Sequence, residues 1–179
     1  MKKFLFAIVA LASCMTVSAK YWVGGCFAFD SKTQYDGAPK QTTAVLAPSI
    51  GMEIEDNLEI GLDFKISELK NINNQSEKFS FAFAPFMRYT FLTQGDFSMF
   101  VQGGLEYGIV SPSGANLWHI SLMLQPGIKY SVSDNFSLLA KMDGLYYSHE
   151  NNAIGHEYKD NIGLGLHVAD LWLGLVYEF

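Results

Sequence analysis

The sequence predicts an all-β chain folded as an eight-stranded antiparallel up-and-down transmembrane β-barrel, and three observations carry that prediction. Apolar side chains recur at every second position through eight successive segments, which is the strand period. The apolar face of each segment is continuous while the other face is mixed or polar, the wrong way round for a barrel dissolved in water. Short polar turns alternate with longer polar connections, as they do in barrels that cross an outer membrane.

Residues 1–19 stand apart from this pattern. Lys2 and Lys3 precede an apolar run from Phe4 to Ala12, and small residues Val17-Ser18-Ala19 follow, which reads as a secretory signal peptide too short to span a bilayer. Leu11-Ala12-Ser13-Cys14 also resembles a lipobox, in which Cys14 would be acylated, but cleavage after Ala19 is the expected outcome. Residues 20–179 then form one barrel domain. Loss of the two leader lysines leaves ten basic residues against eighteen acidic ones, a net charge of −8, so nucleic acid is not an expected partner. Cys26 is left as a lone cysteine, so no intramolecular disulfide is expected.

The first segment, 21–29, sets Tyr21, Val23, Phe27 and Phe29 on one face, and the second, 42–54, does the same with Leu46, Pro48, Ile50, Met52 and Ile54. In the third, 58–67, Leu58, Ile60, Leu62, Phe64 and Ile66 oppose Glu59, Gly61, Asp63, Lys65 and Ser67. Segments 79–91 and 97–109 continue with Phe81, Phe83, Met87 and Tyr89, then Met99, Val101, Leu105 and Tyr107. The sixth, 118–132, carries Trp118, Ile120, Leu122, Leu124, Ile128 and Tyr130; the seventh, 136–148, carries Phe136, Leu138, Ala140, Met142 and Tyr146. The eighth, 161–179, changes parity near Ala169-Asp170, as one extra residue in a β-bulge would cause. PSIGMEIEDNL from Pro48, PGIKYSVSDNF from Pro126 and PFMRYTFLTQGDF from Pro85 repeat one unit of strand, tight turn and strand. Glycines at 24, 25, 103, 104, 163 and 165 open no helix and read as sites of close strand packing.

The chain ends LWLGLVYEF, with Leu175, Tyr177 and Phe179 on the apolar face. The terminal aromatic resembles the signal that outer-membrane assembly machinery reads in barrel proteins. With it, the whole mature chain resembles the small eight-stranded outer-membrane barrels, the OmpX-like proteins and the transmembrane domain of OmpA, within the porin-family group of barrel domains. The resemblance implies an integral protein of the cell outer membrane, surrounded by outer-membrane lipids, delivered by barrel-assembly machinery and monomeric. It implies no catalytic motif and no cofactor.

Parity sends Glu53, Glu59, Asp63, Lys65, Arg88, Glu106, Lys129, Lys141, Asp143 and Glu178 inward. An isolated charge away from water is costly, so these groups are expected to pair across the lumen. Eight strands enclose only enough space for side chains, and inward Phe100, Met123 and Trp172 point to a plugged barrel. His119-Ile120-Ser121 resembles the His-x-Ser pair of lipid A deacylase barrels, but no orienting acid follows Ser121 and both side chains face inward, so no enzyme activity is expected. His149-Glu150 and His156-Glu157 share the last long connection without the spacing of a metal site. The expectation is a structural or surface-interaction protein whose loops meet host or cell-surface ligands. A narrow channel for small solutes, and more remotely a lipid A-modifying enzyme, are the alternatives.

Overall fold

The computed structural model describes residues 20–32, 41–71, 76–111, 117–152, 157–165 and 171–179. The expected leader, with Cys14, lies outside them, as do His156 and the Ala169-Asp170 step. Every regular element among the described residues is a strand: β1 (Tyr21–Lys32), β2 (Gln41–Glu55), β3 (Leu58–Asn71), β4 (Ser76–Gln94), β5 (Phe97–Ser111), β6 (Leu117–Ser131), β7 (Phe136–Met142), β8 (Gly144–Asn152), β9 (Glu157–Gly165) and β10 (Leu171–Glu178). Neighbours pair antiparallel in chain order from β1 to β6. The next stave is β7 followed by β8, both against β6. The last is β9 against β8 followed by β10, which joins β7 to β1 and closes the barrel at Trp22↔Glu178 through Ala28↔Trp172. Ten strands thus make eight staves of a closed up-and-down barrel, the predicted architecture.

The end carrying the short turns is tied by backbone bonds all the way round. Thr90 N donates to Asn57 O at 2.8 Å, Ser131 N to Asp96 O at 2.8 Å, Glu178 N to Asn135 O at 2.8 Å, Phe179 N to Tyr21 O at 2.9 Å and Glu53 N to Lys20 O at 2.9 Å. Each turn therefore bonds to the next hairpin as well as within itself. Asn and Asp supply these turns because they tolerate tight backbone geometry, and Gly95 takes φ +59° at the β4–β5 turn.

The seventh stave breaks where β6 carries Pro126. Pro126 has no N–H to donate. Register jumps from Gly127↔Lys141 to Leu124↔Leu145, so Asp143 is an extra residue opposite it, and Gly144 at φ +33° packs against Leu124 O and Pro126 Cδ where no Cβ would fit. This bulge swaps the faces beyond it. The outward position expected for Tyr146 is therefore corrected: Tyr146 pairs with inward Met123 and lies over Gly163, and Tyr147 takes the outward place. The last long connection also shrinks, because residues 149–152 and 157–160 continue the β8–β9 hairpin. Outward residues are even-numbered in β9 and odd-numbered in β10, so a parity change does separate the two halves of the eighth stave.

The outside of the barrel is greasy. Leu122 is 60% exposed and Ile162 79%, with Ile50, Phe83, Leu105, Leu124, Leu138 and Leu175 exposed around the circumference. Aromatic rings gather at both ends of this band. Tyr21, Tyr89, Phe91, Tyr130, Tyr177 and Phe179 ring the short-turn end, and Phe27, Phe29, Phe79, Phe81, Tyr147 and Tyr158 lie toward the other. Amphipathic rings take such places at the two headgroup levels of a bilayer, and a hydrocarbon solvent is the one setting in which so much exposed apolar surface is stabilising.

Candidate functional site: the barrel lumen

The inward face is built by pairing large side chains with glycines on the adjacent strand. A Cβ at Gly51 would strike the Trp22 ring, one at Gly61 the Phe86 ring, and one at Gly127 the Phe100 ring. Each aromatic thus lies flat across its neighbour and occupies volume that two ordinary side chains would contest. Trp22, Phe86, Phe100, Leu139 and Val176 form one buried cluster, and Cys26, Ala47 and Trp172 a second.

The charged side chains fill the space between these rings. Arg88 is 2% exposed; its Nη1 donates to Glu59 Oε2 at 2.8 Å, and its Nη2 and Nε reach Gln102 Oε1 at 3.0 and 3.3 Å. The guanidinium lies 4.8 Å from the Phe100 ring centre, 5.2 Å from Phe86 and 5.4 Å from Trp22, so aromatic faces replace part of its lost hydration. Lys129 bridges Glu178 at 2.7 Å and Glu59 at 3.6 Å. Lys141 reaches Asp63 at 3.2 Å, and Gln102 links that carboxylate back toward Arg88. Further up, Lys65 meets Glu106 at 2.5 Å, and Asp143 accepts from Trp172 Nε1 at 2.7 Å and from Gln125 at 3.0 Å. Glu53 stands at the rim, 3.8 Å from Lys20. All ten residues named from parity face the lumen, nine in paired interior groups and Glu53 at its edge.

Sequence reasoning missed the neutral members of these groups. Gln102 and Gln125 are inward polar residues at the same parity as Glu106 and Lys129 on their strands, a signal as available as the charges but easily overlooked. It also missed a carboxylate for His119. The acid sought downstream of Ser121 stands upstream on β5: Glu106 Oε1 accepts from His119 Nε2 at 2.8 Å. The imidazole is drawn over Gly108, and no hydrogen bond joins it to Ser121 among the described residues. His119 is thus held in a hydrogen bond with Glu106, away from the geometry of an activated nucleophile. His149 faces outward and Glu150 inward, so that candidate pair is split across the barrel wall.

The two halves of the lumen differ. At the level of Arg88, Phe100, Gln125 and Lys141 the side chains are packed against one another, each 2% exposed or less. Above it, a cavity of about 340 Å³ is bounded by Lys65, Glu106, His119, Ser121, Tyr146 and Trp172. The lumen is a vestibule over a layer of packed, buried side chains.

A closed eight-stave barrel with an apolar outside, a charged inside and all short turns at one end decides the architecture. It is the fold of the small outer-membrane barrels. Neisserial surface protein A matches over 90% of this chain and 99% of its own, at 19% identity and a TM-score of 0.57. The outer membrane protein OprG from Pseudomonas aeruginosa matches over 90% and 95%, at 14% identity and a TM-score of 0.50. No protein-family model matches the chain. No curated protein matches it in sequence either.

Proposed function

We propose that this chain is an integral barrel of the cell outer membrane, exported by its leader, that works as a surface-interaction or envelope protein through its outer connections and not as a diffusion pore. The observation that carries the reading is the plug: Arg88, Phe100, Gln125 and Lys141 are packed against one another and buried, with their hydrogen bonds and ring contacts satisfied. A path for solute would have to break buried ion pairs, each costing several kcal/mol. The exposed apolar band and its aromatic girdles support residence in a bilayer. The strand ends at Lys32 and Gln41, Asn71 and Ser76, Ser111 and Leu117, and Asn152 and Glu157 lie opposite the short turns, and the connections that leave them are the surface this reading assigns to host or cell-surface ligands. The fold neighbour from Neisseria is by name a surface protein. Delivery by barrel-assembly machinery and a monomeric state complete the reading.

The vestibule favours a second reading, a narrow channel with a displaceable plug. Conductance across planar bilayers separates the two. The first reading expects no unitary steps from the wild-type barrel and steps from Phe100→Ala combined with Arg88→Ala; steady wild-type conductance would overturn it. Pull-down of cell-surface material by the whole barrel, and not by a barrel with shortened outer connections, tests the interaction role.

A further inference from the structure

Outside the lumen, one stretch of the lipid-facing wall differs from the rest. Gly103 stands at an outward position on β5, and a Cβ added there would meet only Leu124 Cδ1, at 3.8 Å. The missing side chain opens an apolar groove of about 360 Å³ across β5, β6, β8 and β9, walled by Leu122, Leu124, Leu145, Tyr147 and Ile162. At its outer end Tyr147 turns from apolar wall to hydrogen-bond donor. Its hydroxyl donates to Asp160 Oδ1 at 2.8 Å, and His149 Nδ1 donates to the same oxygen at 2.7 Å. The His149 ring stacks on Tyr158 at 5.2 Å and 15°, and Trp118 leans on both, 5.8 Å from His149 and 6.4 Å from Tyr158.

A carboxylate on the membrane side of a barrel is costly unless polar headgroups meet it. This one is fixed by two donors that both use Oδ1, which leaves Oδ2 as an acceptor beside flat aromatic faces. Lys159, the basic residue of the same strand, lies on the opposite face across from Glu150, and His149 is already committed to Asp160, so among the described residues the cluster holds no lysine or arginine for a phosphate. Aromatic planes with one carboxylate suit the apolar ring face and the hydroxyls of a sugar.

We propose that this wall is a lipid-binding site: one acyl chain lies in the groove opened by Gly103, and a sugar headgroup sits on Trp118, His149 and Tyr158 with a hydroxyl donated to Asp160. The inference rests on the reading that this face meets a bilayer.

The test uses the folded mature barrel in nanodiscs of phosphatidylglycerol containing a minor fraction of monoglucosyl diacylglycerol with the same acyl chains. Native mass spectrometry then counts the lipids that remain bound on gentle release. One glucolipid per barrel is expected, enriched about tenfold over its share of the bilayer, the ratio that one charge-assisted hydrogen bond supplies. Gly103→Leu, which fills the groove without a backbone clash, should remove retention of both lipids. Asp160→Asn and Tyr147→Phe should each reduce the glucolipid preference toward the bulk ratio while a lipid stays bound. Retention in proportion to bilayer composition, preference for phosphatidylglycerol, or a Gly103→Leu barrel that binds like wild type would each overturn the proposal. A barrel that does not enter the nanodisc would instead count against membrane residence itself.

Discussion

Replacing Arg88 by methionine keeps an unbranched stem in the plug and removes the charge, so it measures what the guanidinium contributes. The hydrogen bond to Glu59 at 2.8 Å is charge-assisted and buried, a class worth about 1.5–3 kcal/mol. The contacts over Phe100, Phe86 and Trp22 add about 0.5–2 kcal/mol. Gln102 Oε1 also loses both of its donors. Against this, Glu59 is not left alone, because Lys129 stays 3.6 Å away. The expected loss is about 3–4 kcal/mol, within the range for breaking a buried pair by removing one partner. Adding Glu59→Gln removes the carboxylate that has lost its guanidinium and keeps only the longer Lys129 contact, and should restore about half of that, since a neutral pair in the same space is tolerated. Urea unfolding from lipid vesicles, followed by heat-modifiable gel mobility and tryptophan fluorescence, gives the three free energies of the cycle. A single variant within about 1 kcal/mol of wild type, or a double variant worse than the single, would refute the claim that the guanidinium holds the plug.

Three further outcomes are expected. Leu122→Arg places a charge on the exposed apolar band and should cost about 2–4 kcal/mol in vesicles, whereas Ser121→Arg on the same strand should act by crowding the lumen; equal folding efficiency of Leu122→Arg and wild type would contradict the facing of β6. Deleting Phe179 removes its backbone bond to Tyr21 O and its edge-to-face contact with Tyr177 at 5.3 Å, and should leave refolding in detergent intact while lowering outer-membrane accumulation; normal accumulation by membrane fractionation would make the terminal aromatic an ordinary lipid-facing residue. Cys26, buried beside Ala47 and Trp172, should resist a water-soluble maleimide in the folded barrel and react at once in urea, and rapid labelling of the folded form would contradict the packed lumen.

The staves were legible because a period of two is a local signal, and the ten charged residues named from parity stand on the lumen side of their strands, whereas Glu150 and Lys159, beyond the bulge, also face inward and were not among them. The failure of parity was also local. Tyr146 looked outward because nothing in MDGLYY announces that Asp143 is an extra residue; the cause is Pro126 on the neighbouring strand, which no reading of the seventh segment alone contains. Which charges meet was illegible for a related reason. Arg88 and Glu59 are direct cross-strand neighbours, but Lys141 and Asp63 stand on opposite sides of the barrel, 78 residues apart, and meet only because the stagger of a closed barrel brings them to one level. Glu106 and His119 were hidden by the direction of search, since the acid precedes the histidine and belongs to the neighbouring strand.

The flat rings over Gly51, Gly61 and Gly127 bind distant parts of the sequence into shared volumes. A methyl group added at Gly61 has no room while Phe86 is present, and a leucine at position 86 would leave a void over an unchanged Gly61. Neither site can drift alone without a cost. In relatives of this barrel the two should change together, a small residue gaining bulk only where its ring partner has lost it, so that Trp22 with Gly51, Phe86 with Gly61 and Phe100 with Gly127 would behave as three covarying couples even where overall identity has fallen too low to align the strands between them.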